Sequence, residues 1–188
     1  MLRRVQSVPQ GLGSPSGAVV RYGDGFSLET RGVRSDWETP RSRRGKYYLL
    51  TYLDHFTKFA EAVPIPNKEA ETVCRVLAEE LFPRFGAPLQ LLTNQGREFE
   101  NRLVRGLSTI YGVDKIRTSP YRPSTNGAIE RLHRTLNAMF GRVVDDSQRD
   151  WNVRVSAVMA AYRATIHGAT GYSPNYMMFG RNSVSQLT

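Results

Sequence analysis

The 188-residue sequence holds one cysteine, Cys74, and only three histidines, His55, His133 and His167. A lone thiol cannot close an intramolecular disulfide, so a reducing compartment is the default. Ligands this few and this scattered also exclude a His/Cys zinc module. Cys74 falls within an apolar helical pattern, where a thiol serves as core. No apolar run reaches the roughly 18 residues that a membrane-spanning helix needs. The first residues carry Arg3 and Arg4 but no apolar stretch of the kind a secretory signal requires, and Pro9 and Pro15 break the amphipathic helix of a mitochondrial leader. Acidic residues are short as well: 17 Asp and Glu stand against 26 Lys and Arg, a formal net charge of +9. Such a balance favours polyanionic partners, because neutralising phosphates releases their condensed counterions.

What is present divides unevenly. Residues 1–45 are rich in Gly, Ser, Pro and Arg and show little periodicity, so they read as a basic, weakly structured extension. Within them 18–22 (AVVRY) has strand character, and a Gly23–Gly25 turn leads to a second short run at 26–30. Residues 28–35 (LETRGVRS) make a poor strand, and 41–46 (RSRRGK) read as a solvated basic loop. Residues 46–181 form the folded domain, and 182–188 a tail.

Within that domain 47–53 (YYLLTYL) is aromatic and apolar enough for a buried strand, and 59–65 alternates as a half-buried one, with Thr57-Lys58 as the hairpin connection. A helix is expected over about 68–85, stopped by Gly86 and Pro88. A strand follows at 89–93, then a helix at 98–111 with Phe99, Leu103, Leu107 and Ile110 inward, and a strand at 113–118. After a loop at 120–126 come helices over about 127–144, with Ile129, Leu132, Leu136, Met139 and Val143 inward, and about 150–166. This order predicts an α/β domain with a central mixed sheet flanked by helices, its first strand in doubt.

Chemistry gathers in three stretches. Residues 92–99 (LTNQGREF) end a strand ahead of a helix, where open α/β sheets form their sites. Residues 121–131 (YRPSTNGAIER) lead into the long helix and place Glu130 in its first turn, where the helix dipole favours a carboxylate. Residues 170–181 (TGYSPNYMMFGR) form the third. On pattern alone, Glu130 with Arg134 is most simply an exposed i, i+4 ion pair worth a few tenths of a kcal/mol.

Together these stretches resemble the integrase catalytic core of gypsy-type LTR retrotransposons and, more distantly, of retroviruses. TNQGREF is similar to the family's S/T-D-Q-G-x-x-F, and PYRPSTNGAIERLHRTL to P-Y-x-P-Q-x-x-G-x-x-E-R-x-N-R-T-L. AYRATIHGATGYSPNYMMFGR matches the family's terminal A-Y-N … T-G-x-S-P … G-R, and DHFTKFAEA its D-x-F-S-K-W-x-E-A. Thirty-five residues lie between Asn94 and Glu130, the interval of the family's D,D-35-E motif. The resemblance implies an RNase H-like fold and metal-dependent 3′-processing and strand transfer of DNA. In the family, two aspartates and this glutamate hold two divalent cations, Mg²⁺ or Mn²⁺.

Glu130 carries over to the glutamate directly. Asn94 stands where the second aspartate belongs, a departure that removes a negative charge and implies an impaired enzyme. For the first aspartate Asp36, in DWETP, is preferred, with Asp24 as competitor; Asp54 matches a family position that is not a metal ligand. The expected catalytic and metal set is therefore Asp36, Asn94 and Glu130. The expected DNA contacts are Arg97, Tyr121, Arg122, Asn126, Arg131, His133 and Arg134. The zinc-binding domain usual before this core and the small domain usual after it are missing from the sequence, which reads as an integrase fragment. The resemblance implies retroelement ends and target DNA as partners, no membrane, nuclear localisation and room for a homo-oligomer. The alternative is a domesticated, non-catalytic DNA-binding or scaffold protein built on the same fold. A cellular RNase H is disfavoured by the terminal TGYSP.

Overall fold

The computed structural model describes residues 26–31, 41–117, 123–144 and 149–182, with side chains for all but 26–31 and 123–126. Five strands form one sheet in the order β3-β2-β1-β4-β5: β1 (Phe26–Arg31), β2 (Tyr48–Asp54), β3 (Ala60–Ile65), β4 (Gln90–Thr93) and β5 (Asp114–Arg117). β1–β2 and β2–β3 are antiparallel, while β1–β4 and β4–β5 are parallel. The sheet is thus mixed, as the opening hairpin and the later β-α-β order require.

The short run expected at 26–30 is a strand, and the first strand left in doubt is present. Phe26–Arg31 is the central strand, paired with β2 over all six residues and with β4 over Phe26–Leu28. Its sequence is a weak strand former, but two neighbours supply backbone partners for its N–H and C=O groups, and that outweighs local propensity. The folded unit therefore reaches upstream of Lys46. The 41–46 stretch is a loop with Arg41, Arg43 and Arg44 exposed, as expected, but it is also tied down: Ser42 is buried, its hydroxyl accepts the Lys46 N–H at 2.9 Å, and Arg43 N–H bonds Arg149 C=O at 3.0 Å. The 18–22 run lies outside the described residues.

Helices cover both faces of the sheet. On one, Leu50, Tyr52 and Leu91 meet α1 (Ala70–Val76), a π-turn (Leu77–Leu81), α2 (Phe82–Phe85) and the Phe99 segment that leads into α3 (Arg102–Tyr111). On the other, Leu49, Leu53, Ala60 and Ala62 meet α4 (Pro123–Val143) and α5 (Trp151–Ala164). The expected 68–85 helix is real but not regular. Pro83 has no N–H and its ring clashes with the carbonyl four residues back, and the wider turn just before it accommodates this.

Two apolar stripes hold only in part: Ile129, Leu132 and Leu136 of α4 are buried with Met139 packed beside them, and Phe99 and Leu107 meet the first core. In α3 it is Val104 and Ser108 that are buried, while Leu103 is exposed and Ile110 is 81% exposed. In α4, Phe140 is buried where Val143 was expected, and Val143 is exposed. Both helices also start elsewhere: α3 at Arg102 instead of Glu98, and α4 at Pro123 instead of Gly127. A short α6 (Pro174–Phe179), capped by the Ser173 hydroxyl on Tyr176 N–H at 3.1 Å, seats Met178 in the first core.

Asn101 sets the start of α3. Its Oδ1 accepts Val104 N–H at 2.9 Å, and its Nδ2 donates to Glu98 C=O at 2.8 Å. Asn101→Ala removes both and is expected to lower stability by about 1 kcal/mol, the usual value of an N-cap. Urea unfolding of the two proteins checks this, and Asn101→Asp, which keeps the acceptor, should recover most of the loss.

Candidate nucleic-acid interface and acidic site

Asn94 follows the last residue of β4. Leu91 packs on the α1 face, so strand alternation assigns Asn94 to the α4 face. Its Oδ1 accepts Gly96 N–H at 2.9 Å, and Gly96 C=O in turn accepts Phe99 N–H at 2.9 Å and Glu100 N–H at 3.1 Å. Two nested turns thus carry the chain from β4 towards α3, with Phe99 fully buried beneath them. The amide oxygen of Asn94 serves as a turn acceptor, a role an aspartate oxygen fills equally well.

Glu130 lies on α4 above the same face. One turn on, His133 is buried and bonds Thr51 Oγ1 of β2 at 3.1 Å. Thr51 pairs with Glu29 of β1, and Glu29 follows Leu28, the last β1 residue paired with β4, as Asn94 follows Thr93. Thr51, Glu29 and Asn94 therefore hold one level across three adjacent strands, two strand spacings or roughly 10 Å from end to end. The first turns of α4 run over that level. Asn94 and the α4 segment that carries Glu130 so lie over one face of the sheet. The backbone of Glu29 marks a register position beside Asn94 that sequence reading passed over, because β1 was not recognised as a central strand.

Glu130 is exposed, and no cation of the described residues lies within ion-pair distance, so the Glu130–Arg134 pair does not form. Arg97, Arg131 and Arg134 are likewise exposed and unpaired with any described carboxylate. His133 is corrected: at 3% exposure and bonded to Thr51, it anchors α4 to the sheet and presents no surface to DNA. Asp36, Asp24, Tyr121 and Arg122 lie outside the described residues, and Asn126 is placed by its helix backbone alone. Asp54 is fully buried in the hairpin turn, accepting Phe56 N–H at 3.0 Å, Thr57 N–H at 3.2 Å and Thr57 Oγ1–H at 2.5 Å, a purely structural task.

The divalent cations that the fold family implies need several hard oxygen ligands. Among the described residues, no three His, Cys, Asp or Glu side chains come together as such a set. Glu130 supplies one carboxylate and Asn94 one neutral amide oxygen. These do not by themselves fit a two-cation centre.

Residues 31–123 match the family model "Integrase core domain". The Pol polyprotein of transposon 412 from Drosophila melanogaster is 29% identical over 144 residues, 77% of this chain and 12% of that protein. The Pol polyprotein of radiation murine leukemia virus (strain Kaplan) is 33% identical over 165 residues, 83% of this chain and 28% of that protein. The chain thus spans only a small part of the relatives it matches. Among solved structures, the catalytic core domain of BIV integrase superposes with a TM-score of 0.64 at 19% identity, covering 84% of this chain and 94% of that one. A chain of the simian T-cell lymphotropic virus intasome, determined with PP2A regulatory subunit B56 gamma, gives 0.65 at 13% identity, over 89% of this chain and 58% of that one. Motifs, sheet order and matches agree on an integrase core domain in this chain, matched over residues 31–123.

Proposed function

We propose that this chain is a DNA-binding integrase core of the strand-transfer type whose cation centre is crippled by the loss of charge at Asn94. The observation that carries the reading is an amide, not a carboxylate, at the end of β4, on the face where Glu130 has no cationic partner among the described residues. The surplus of nine positive charges and the exposed Arg97, Arg131 and Arg134 supply the affinity for DNA. Such contacts meet phosphates, so they bind without reading sequence. The third carboxylate of the centre falls to Asp36 or to Glu29, the former by motif and the latter by strand register. The similarity to transposon 412 accords with a retrotransposon origin. A scaffold that uses the fold without chemistry would share the DNA affinity and differ only in binding no cation.

Anisotropy titration of a labelled duplex at several KCl concentrations, with a strand-transfer assay in Mg²⁺ and in Mn²⁺, tests this. The expected result is affinity that falls steeply with salt, by roughly 0.9 log unit per tenfold salt for each phosphate contacted, together with little strand transfer. Salt-independent binding, or strand transfer by the wild-type chain as fast as by Asn94→Asp, would overturn it.

A further inference from the structure

Between α4, the β2–β3 turn and the segment after α5 lies a cavity of about 420 Å³. This is a size that takes small ligands. Leu132, Met139 and Ile166 give it an apolar side; Lys58, Arg131, Arg142 and His167 also line it, and no carboxylate of the described residues does. None of the three full cations has an ion-pair partner among the described residues.

Their placement is built. Lys58 is the one non-glycine among the described residues with a left-handed backbone, φ 61°. Three bonds hold it there: its N–H to Asp54 C=O at 3.0 Å, its Nζ to His55 C=O at 2.6 Å, and Tyr162 O–H to its own C=O at 3.1 Å. His167 Nδ1 accepts Ala169 N–H at 3.2 Å, which leaves Nε2 to carry the proton and donate. Burial, then Lys58 and Arg131, hold the imidazole below its usual pKa. Cations gathered over an apolar floor repel one another, and an anion seated among them relieves that repulsion while making charge-assisted hydrogen bonds.

We propose that this cavity is a nucleotide phosphate site, with the phosphate held by Lys58, Arg131 and Arg142 and the sugar or base lying over Leu132, Met139 and Ile166. The nucleotide is either free or the phosphorylated end of a strand. The chemistry is common to both, and only the second source rests on the DNA-binding reading above. The cavity lies on the α5 side of α4 and uses neither Asn94 nor Glu130.

The test uses the full chain. Adenosine 5′-monophosphate is titrated by calorimetry, and a labelled single strand with or without a 5′-phosphate by anisotropy, for the wild type, Arg131→Ala, Arg142→Ala and Ala169→Trp. The two arginines are exposed, so their loss should leave folding intact, and thermal unfolding checks this. Ala169→Trp fills the cavity without removing charge. The expected result is binding of the monophosphate, or a preference for the 5′-phosphorylated strand, that weakens about tenfold or more with each arginine removed and also with Ala169→Trp. Which probe responds identifies the source. If neither probe binds, or if Ala169→Trp and Arg142→Ala leave both affinities unchanged, the site is overturned, whatever happens to duplex binding. If instead the wild type fails to bind duplex DNA, the functional reading falls, and the monophosphate titration alone decides the cavity.

Discussion

Asn94→Asp should bind Mn²⁺ roughly a hundredfold more tightly than the wild-type chain, about 2–3 kcal/mol, since a restored carboxylate adds charge stabilisation of several kcal/mol at a cation centre. The substitution asks nothing new of the fold. Asn94 already accepts Gly96 N–H through Oδ1 at 2.9 Å, and an aspartate oxygen accepts the same bond. Among the described residues, Glu130 has no ion pair that would have to break. Calorimetric titration of both proteins with Mn²⁺ reads the effect. A second comparison, Asn94→Asp with Glu130→Gln, should return affinity to near the wild-type value if the two carboxylates share a cation. Equal affinities for wild type and Asn94→Asp would remove Asn94 as the lesion.

Phe99→Ala should cost about 3–5 kcal/mol, the range for deleting a fully buried aromatic ring. Phe99 is the apolar anchor of the segment between β4 and α3, and its N–H closes the turn on Gly96 C=O at 2.9 Å. The loss should therefore act twice, lowering the urea midpoint and loosening the loop that holds Asn94. In the Asn94→Asp background, the same change should weaken Mn²⁺ binding even at temperatures where the protein stays folded. A loss below about 1 kcal/mol would show that the ring is not the anchor the packing makes it.

Much of this was legible in sequence, and the misses have identifiable causes. Tyr48–Asp54 could be read because nearly continuous apolar and aromatic residues fit a buried strand, and Ala60–Ile65 because its alternation fits a half-buried one. Asn94 and Glu130 could be located because the motif and its spacing belong to one family. The run at 26–30 was legible as a short strand, but not as the central one, because that place comes only from β2 and β4, which the local sequence does not contain. The α3 stripe was misphased because Leu103 and Ile110 present a second apolar side to the helix, and only the cap at Asn101 and the packing of Val104 select the buried one. His133 went wrong for a similar reason: its burial depends on Thr51, 82 residues away. α6 carries a readable signal, a Ser-Pro start and Gly180 at the end, within the stretch that also holds the family's terminal motif.

The account stands on Asn94 and Glu130 meeting at one edge of the sheet. Paramagnetic broadening by Mn²⁺ in ¹⁵N-labelled Asn94→Asp tests that most directly. The amide signals of residues 94, 96 and 130, together with those of Glu29 or Asp36, should broaden at the same low Mn²⁺ concentration, while those of α6 stay sharp. Broadening at position 94 that spares 130, or centres elsewhere in the chain, would contradict it.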